Sequence, residues 1–177
     1  ARVVASVTPT QLYGRLLETP SEETLNATRS YRYGKANFQI HYALDKSPDW
    51  TVPGLEKVAL IHLTPGLDGV SRAANEAERG MLPAEPTICV GQPTALDPSR
   101  APEGKAILWL QLPEAPRQVK GDAAGELEFP EDGVWTEALR EAYADRVEEI
   151  LSRHIKGFSD TVIARRAYAP ADLEAMN

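Results

Sequence analysis

The sequence predicts an α+β fold: a mixed or antiparallel β-sheet of about five strands with helices packed on one face. Two observations carry this. Residues 35–44 alternate, with Phe38, Ile40, Tyr42 and Leu44 on one side and Asn37, Gln39, His41 and Ala43 on the other, the period of a half-buried strand. Two segments instead repeat at three and four: Val70, Ala73, Ala74, Ala77 and Met81, and Trp135, Leu139, Ala142, Tyr143, Val147, Ile150 and Leu151.

Taken in order, residues 2–7 read as a short buried strand. Thr8-Pro9-Thr10-Gln11 then opens a short helix: Thr8 suits the N-cap, Pro9 the first helical position, and Gln11 completes a capping box. Leu12, Leu16 and Leu17 supply its apolar stripe, Pro20 bounds it, and Glu22-Glu23 begin a polar stretch. After the strand at 35–44, Pro48 to Gly54 form a loop. A second strand at 57–64 stops at Pro65-Gly66. The helix that follows takes Asp68 as N-cap and ends at Gly80. Strands at 86–92 and 105–112 flank a loop shaped by Pro93, Pro98, Pro102 and Gly104. Residues 113–131 read as an exposed connection. The longest helix starts near Gly133, is extended by Ile155 and stops at Gly157. A last strand covers about 160–168, before Pro170.

Composition excludes several classes of function. The chain has 177 residues, 42 % of them hydrophobic, enough to hold a core without disulfides. Its net charge of −7 argues against a nucleic-acid groove, and Arg165-Arg166 is too small a basic cluster to change that. Apolar runs such as 106–110 are far too short to span a membrane, and no signal peptide opens the chain. The expected location is therefore the cytoplasm. Both ends read as cuts through a longer chain.

The search for chemistry ends without a catalytic set. His41, His62 and His154 lack metal-site spacing, and no carboxylate is placed to orient His41 and His62, which could face each other on neighbouring strands. No GxSxG, phosphate loop or GxGxxG occurs. Cys89, the only cysteine, reads as a small strand hydrophobe. No catalytic or metal residue is assigned. Phe38, Ile40 and Tyr42 on one strand, with Ile107 and Trp109 on another, are expected to share one sheet face. That face is either core beneath a helix or the wall of an apolar cavity. The opposite face, with Gln39 and His41, is the alternative lining, since a one-residue slip exchanges the faces.

Longer motifs carry a resemblance. Gln92-Pro93-Thr94-Ala95-Leu96-Asp97-Pro98-Ser99-Arg100-Ala101-Pro102-Glu103-Gly104-Lys105, followed by Leu108-Trp109, resembles a signature of phytoene-dehydrogenase-like FAD-dependent oxidoreductases. So do Tyr33-Gly34-Lys35-Ala36-Asn37-Phe38, Tyr42-Ala43-Leu44 and the closing Pro170-Ala171-Asp172-Leu173-Glu174 with Asn177. Val3 to Val7 with the helix from Thr10 to Leu17 resembles the segment that leads out of the flavin domain in that family.

The resemblance implies that residues 1–30 lead out of a flavin domain and that 31–177 form a substrate-binding domain. It implies FAD in the full-length parent, none in this fragment, and hydride or electron transfer between an apolar substrate and flavin. Phe38, Ile40, Tyr42, Ile107 and Trp109 would line the substrate wall. The expected partners are an apolar small molecule and the flavin domain of the same parent chain, with self-association through the exposed docking surface. The fragment alone is expected to be inactive. A stand-alone apolar-ligand-binding or interaction domain without redox chemistry is the alternative.

Overall fold

Alternating apolar residues make a sheet only when neighbouring strands satisfy each other's backbone groups, and the strands from residue 36 onward do so. The computed structural model describes residues 2–176, which divide between Gly34 and Lys35 into two units.

The first unit holds helix α1 (Pro9–Gln11), a π-helical turn at Leu12–Leu16, and helix α2 (Glu22–Ser30). The Thr8 N–H donates to the Gln11 side chain at 3.3 Å, as the capping box requires. The strand expected at 2–7 does not form. Val3 and Val4 lie 90 % and 96 % exposed and pair with no described strand. None of residues 2–34 is buried. Helix α2 replaces the expected polar stretch. It has no buried side, but Ser21 caps it by accepting from the Thr24 N–H at 3.2 Å. Glu22 and Glu23 in its first turn and Arg29 in its last complement the helix dipole.

The second unit is built on a five-stranded sheet of β1 (Ala36–Leu44), β2 (Leu60–Leu63), β4 (Ile88–Gly91), β5 (Ala106–Ala115) and β7 (Val162–Tyr168). The spatial order is β2-β4-β5-β1-β7 and every pairing within it is antiparallel. A separate two-residue parallel pair joins β3 (Met81–Leu82) to β6 (Gly121–Asp122). The helices are α3 (Gly66–Glu78), α4 (Glu137–Ser152), α5 (Phe158–Thr161) and α6 (Pro170–Met176). Helix α3 starts before the expected cap, so Asp68 sits in its first turn rather than at the N-cap.

Helix α4 covers one face of the sheet. Thr136 caps it by accepting from the Leu139 N–H, and Leu139, Tyr143, Val147, Ile150 and Leu151 are buried at three- and four-residue spacing. Tyr143 packs edge-on to Phe38 at 5.1 Å, and Phe158 of α5 packs edge-on to Tyr42 at 5.2 Å. Arg165 of β7 ties the edge strand to α4: its guanidinium meets Glu141, Asp145 and Glu148, which follow one another along a single helix face.

The connection at 113–131 is not a loose surface loop. Glu114, Ala115, Pro116, Val119 and Gly121 are buried. Asp122 makes a two-pronged ion pair with Arg146 of α4, both contacts at 2.6 Å, with the side chains 2 % and 7 % exposed. Two backbone N–H groups, of Glu126 and Leu127, complete the carboxylate's shell at 2.8 and 2.9 Å. Burial opposes the charge on Asp122, but these bonds outweigh it and lower its pKa to about 2.

The loop between β4 and β5 is shaped as its prolines predict, with single 3-10 turns at Pro93–Ala95 and Pro98–Arg100. Gln92 anchors its start: it accepts from the Trp50 indole at 3.0 Å and donates to the carbonyls of Leu55 and Val58. The Asp97 side chain accepts from the Ser99 N–H, and Lys105 pairs with Asp45.

Candidate functional site

Register decides which side chains share a face, because side chains alternate along each strand. Between β1 and β5, Tyr42 stands opposite Leu108, Ala43 opposite Ile107, and His41 opposite Trp109. Phe38, Ile40 and Tyr42 therefore align with Leu112, Leu110 and Leu108. All six are at most 2 % exposed, in the core that α4 covers. Ile107 and Trp109 point the other way. The expected grouping of these five residues on one face is thus split: three lie in the core and two on the opposite, open face.

The source of the error is β5 itself. Ala106-Ile107-Leu108-Trp109-Leu110 is apolar on both sides, so its periodicity carries no information about which side is in.

Two ladder rows cross the open face. One runs Gly91–Trp109–His41–Arg166 and the next Cys89–Gln111–Gln39–Tyr168, from β4 through β5 and β1 to β7. Trp109, Gln111, Gln39, Cys89 and Tyr168 are half-buried, while His41 and Arg166 are exposed. Trp109 lies directly over Gly91: a Cβ on that glycine would overlap the indole ring. The glycine is what allows the ring to lie down on β4.

His41 meets Tyr168 edge-on at 5.7 Å, and the Arg166 guanidinium lies 5.3 Å from the centre of the same ring. Burial raises the pKa of the Cys89 thiol, the opposite of what an activated nucleophile needs. His62 shares the open face but stands on β2, with β4 and β5 between it and β1, so it does not face His41, and the two read as separate polar-face histidines of the sheet. His154 follows α4 in a turn, half-buried, and its carbonyl accepts from the Thr51 N–H at 2.8 Å.

Tyr168 and Arg166 escaped the sequence reading. Their two-residue spacing on the expected 160–168 strand was the available signal, since it puts both side chains on one face.

Arg166 and Tyr168 also line a cavity of about 500 Å³ along the free edge of β7, whose other walls come from α4 and α6. Its carboxylates are engaged by two arginines. Arg140 meets Asp172, Glu141 and Glu137 at 3.2, 3.7 and 4.0 Å, and Arg165 meets Glu141 at 2.9 Å. Among the described residues no group of three His, Cys, Asp or Glu converges as metal ligands. No described helix is long and apolar enough to cross a membrane.

A dinucleotide needs a parallel strand–turn–helix unit whose glycine turn brings backbone N–H groups to the pyrophosphate. Among the described residues no such unit forms around a glycine turn. The five-stranded sheet is antiparallel throughout, and the turn from β2 into α3 carries Asp68 in the first helical turn, where it would repel a phosphate.

No protein-family model matches the chain. It is similar to pyridine nucleotide-disulfide oxidoreductase domain-containing protein 2 of Mus musculus and of Rattus norvegicus. In both cases it is 28 % identical over 188 residues, covering 98 % of this chain and 30 % of the relative. The chain thus spans under a third of the length of these curated relatives, and the likeness is to an oxidoreductase-related protein in general.

Proposed function

We propose that this chain is the substrate-side domain of a flavin-dependent oxidoreductase of the phytoene-dehydrogenase-like kind. The observation that carries the reading is the two-sidedness of the sheet: one face is sealed by α4, while the other displays Ile107, Trp109, Gln39 and His41. A likeness to an oxidoreductase domain-containing protein along almost the whole chain supports it.

On this reading the substrate's apolar body lies on Trp109 and Ile107. The amides of Gln39 and Gln111 and the ring of His41 give it direction. FAD would be held by other parts of a longer protein. When bound there it would accept or deliver the hydride. This chain's residues would orient the substrate and keep water from the apolar body.

The test is flavin content and turnover of the longest protein that includes this chain. The expected result is flavin absorption bands in the purified protein. Trp109→Ala should retain the flavin, raise KM and leave the fold intact by circular dichroism. Absence of bound flavin from that protein, or full activity of Trp109→Ala, would remove the proposal.

A further inference from the structure

Arg166 stands apart from the other arginines around it. Arg140 and Arg165 each hold several carboxylates, whereas Arg166 is exposed and makes no ion pair among the described residues. Its one described partner is the Tyr168 ring, which fixes the guanidinium on the open face without neutralising it. The ladder rows that bring Arg166 beside His41 and Trp109 contain no carboxylate, in a protein with 26 acidic residues and a net charge of −7. Arg166 also lines the β7 edge cavity, but that cavity's carboxylates, Glu137, Glu141 and Asp172, are held by Arg140 and Arg165.

We propose that Arg166, supported by Tyr168 and flanked by His41, is an anion-recognition corner of the open face. The ligand would be an amphipathic molecule whose apolar part lies on Trp109 and Ile107 and whose carboxylate or phosphate end meets the Arg166 fork. This deepens the substrate-side reading and rests on it. A planar guanidinium matches either oxyanion through two parallel N–H bonds. Trp109 is one strand from His41 and two from Arg166. Adjacent strands are about 4.8 Å apart, so a ligand reaching from the indole to the guanidinium spans roughly 10 Å across the strands.

The experiment titrates the full 177-residue chain with dodecanoate, dodecyl phosphate and 1-dodecanol, each below its micelle concentration. Trp109 emission is the readout, assigned by its loss in Trp109→Phe. At least one of the two anions should bind about tenfold or more tighter than the alcohol. Arg166→Gln should abolish that preference and leave alcohol binding unchanged, and Arg166→Lys should keep part of it. The arginine is exposed, so circular dichroism should show all variants folded.

Preference for only one of the anions supports the corner and identifies its oxyanion. Equal binding of all three probes, or an unchanged preference in Arg166→Gln, overturns the anion corner but leaves the substrate face standing. No Trp109 response to any probe overturns both.

Discussion

Replacing Asp122 with asparagine should destabilise the protein and also change how its stability depends on pH. The carboxylate is 2 % exposed and accepts from both Arg146 Nη atoms at 2.6 Å and from two backbone N–H groups. Removing one partner of a buried pair leaves the other charge without compensation, a cost of about 3–5 kcal/mol. The pH effect follows from its pKa, lowered from 3.8 to about 2. A lowered carboxyl pKa contributes stability above the unfolded value and loses it as pH falls through the folded value. The full contribution at neutral pH is about 2 kcal/mol, and near pH 3 about 1 kcal/mol of it remains. Urea unfolding followed by circular dichroism, at several pH values between about 7 and 2, measures both effects. Wild-type protein should lose this increment on acidification, and Asp122→Asn should lack it. Parallel pH curves for the two proteins, or a neutral-pH cost under about 1 kcal/mol, would refute the assignment of a buried, ionised pair.

Two further outcomes follow from the core and the open face. The Tyr143 hydroxyl is buried with no hydrogen-bond partner among the described residues, so Tyr143→Phe should be neutral or raise stability by up to about 1 kcal/mol; a fall in Tm would mean the hydroxyl is bonded. Gly91→Ala should push the Trp109 indole off β4, costing about 1–3 kcal/mol and shifting tryptophan emission, whereas unchanged emission would show that the ring does not rest on Gly91.

The elements with clear periodicity were legible. Strand β1 and helix α4 announce themselves, because one face of each is apolar and the other polar, and the α+β class follows from their order. What the sequence could not carry was long-range pairing. Phe38 and Tyr42 declare their own common face, but nothing local tells whether Ile107 or Leu108 stands beside them, since β5 is apolar on both sides. The run at 2–7 has strand composition, yet composition does not supply a partner strand. Helix α2 was hidden for the reverse reason: its signal lies in its Ser21 cap and end charges rather than in an apolar stripe. Arg146 carries no local signal, because its partner, Asp122, comes 24 residues earlier in a connection of polar composition.

The central claim is that the sheet face bearing Ile107, Trp109, Gln39 and His41 meets an apolar substrate. Photo-crosslinking with an alkyl diazirine in the longest protein that includes this chain, mapped by mass spectrometry, tests it most directly. The expected labels fall on Ile107, Trp109 and Gln111 of β5 and on Gln39 and His41 of β1, and diminish when a competing apolar ligand is added. Labels confined to the β7 edge cavity, around Arg140 and Met176, with the open face unmarked, would contradict it.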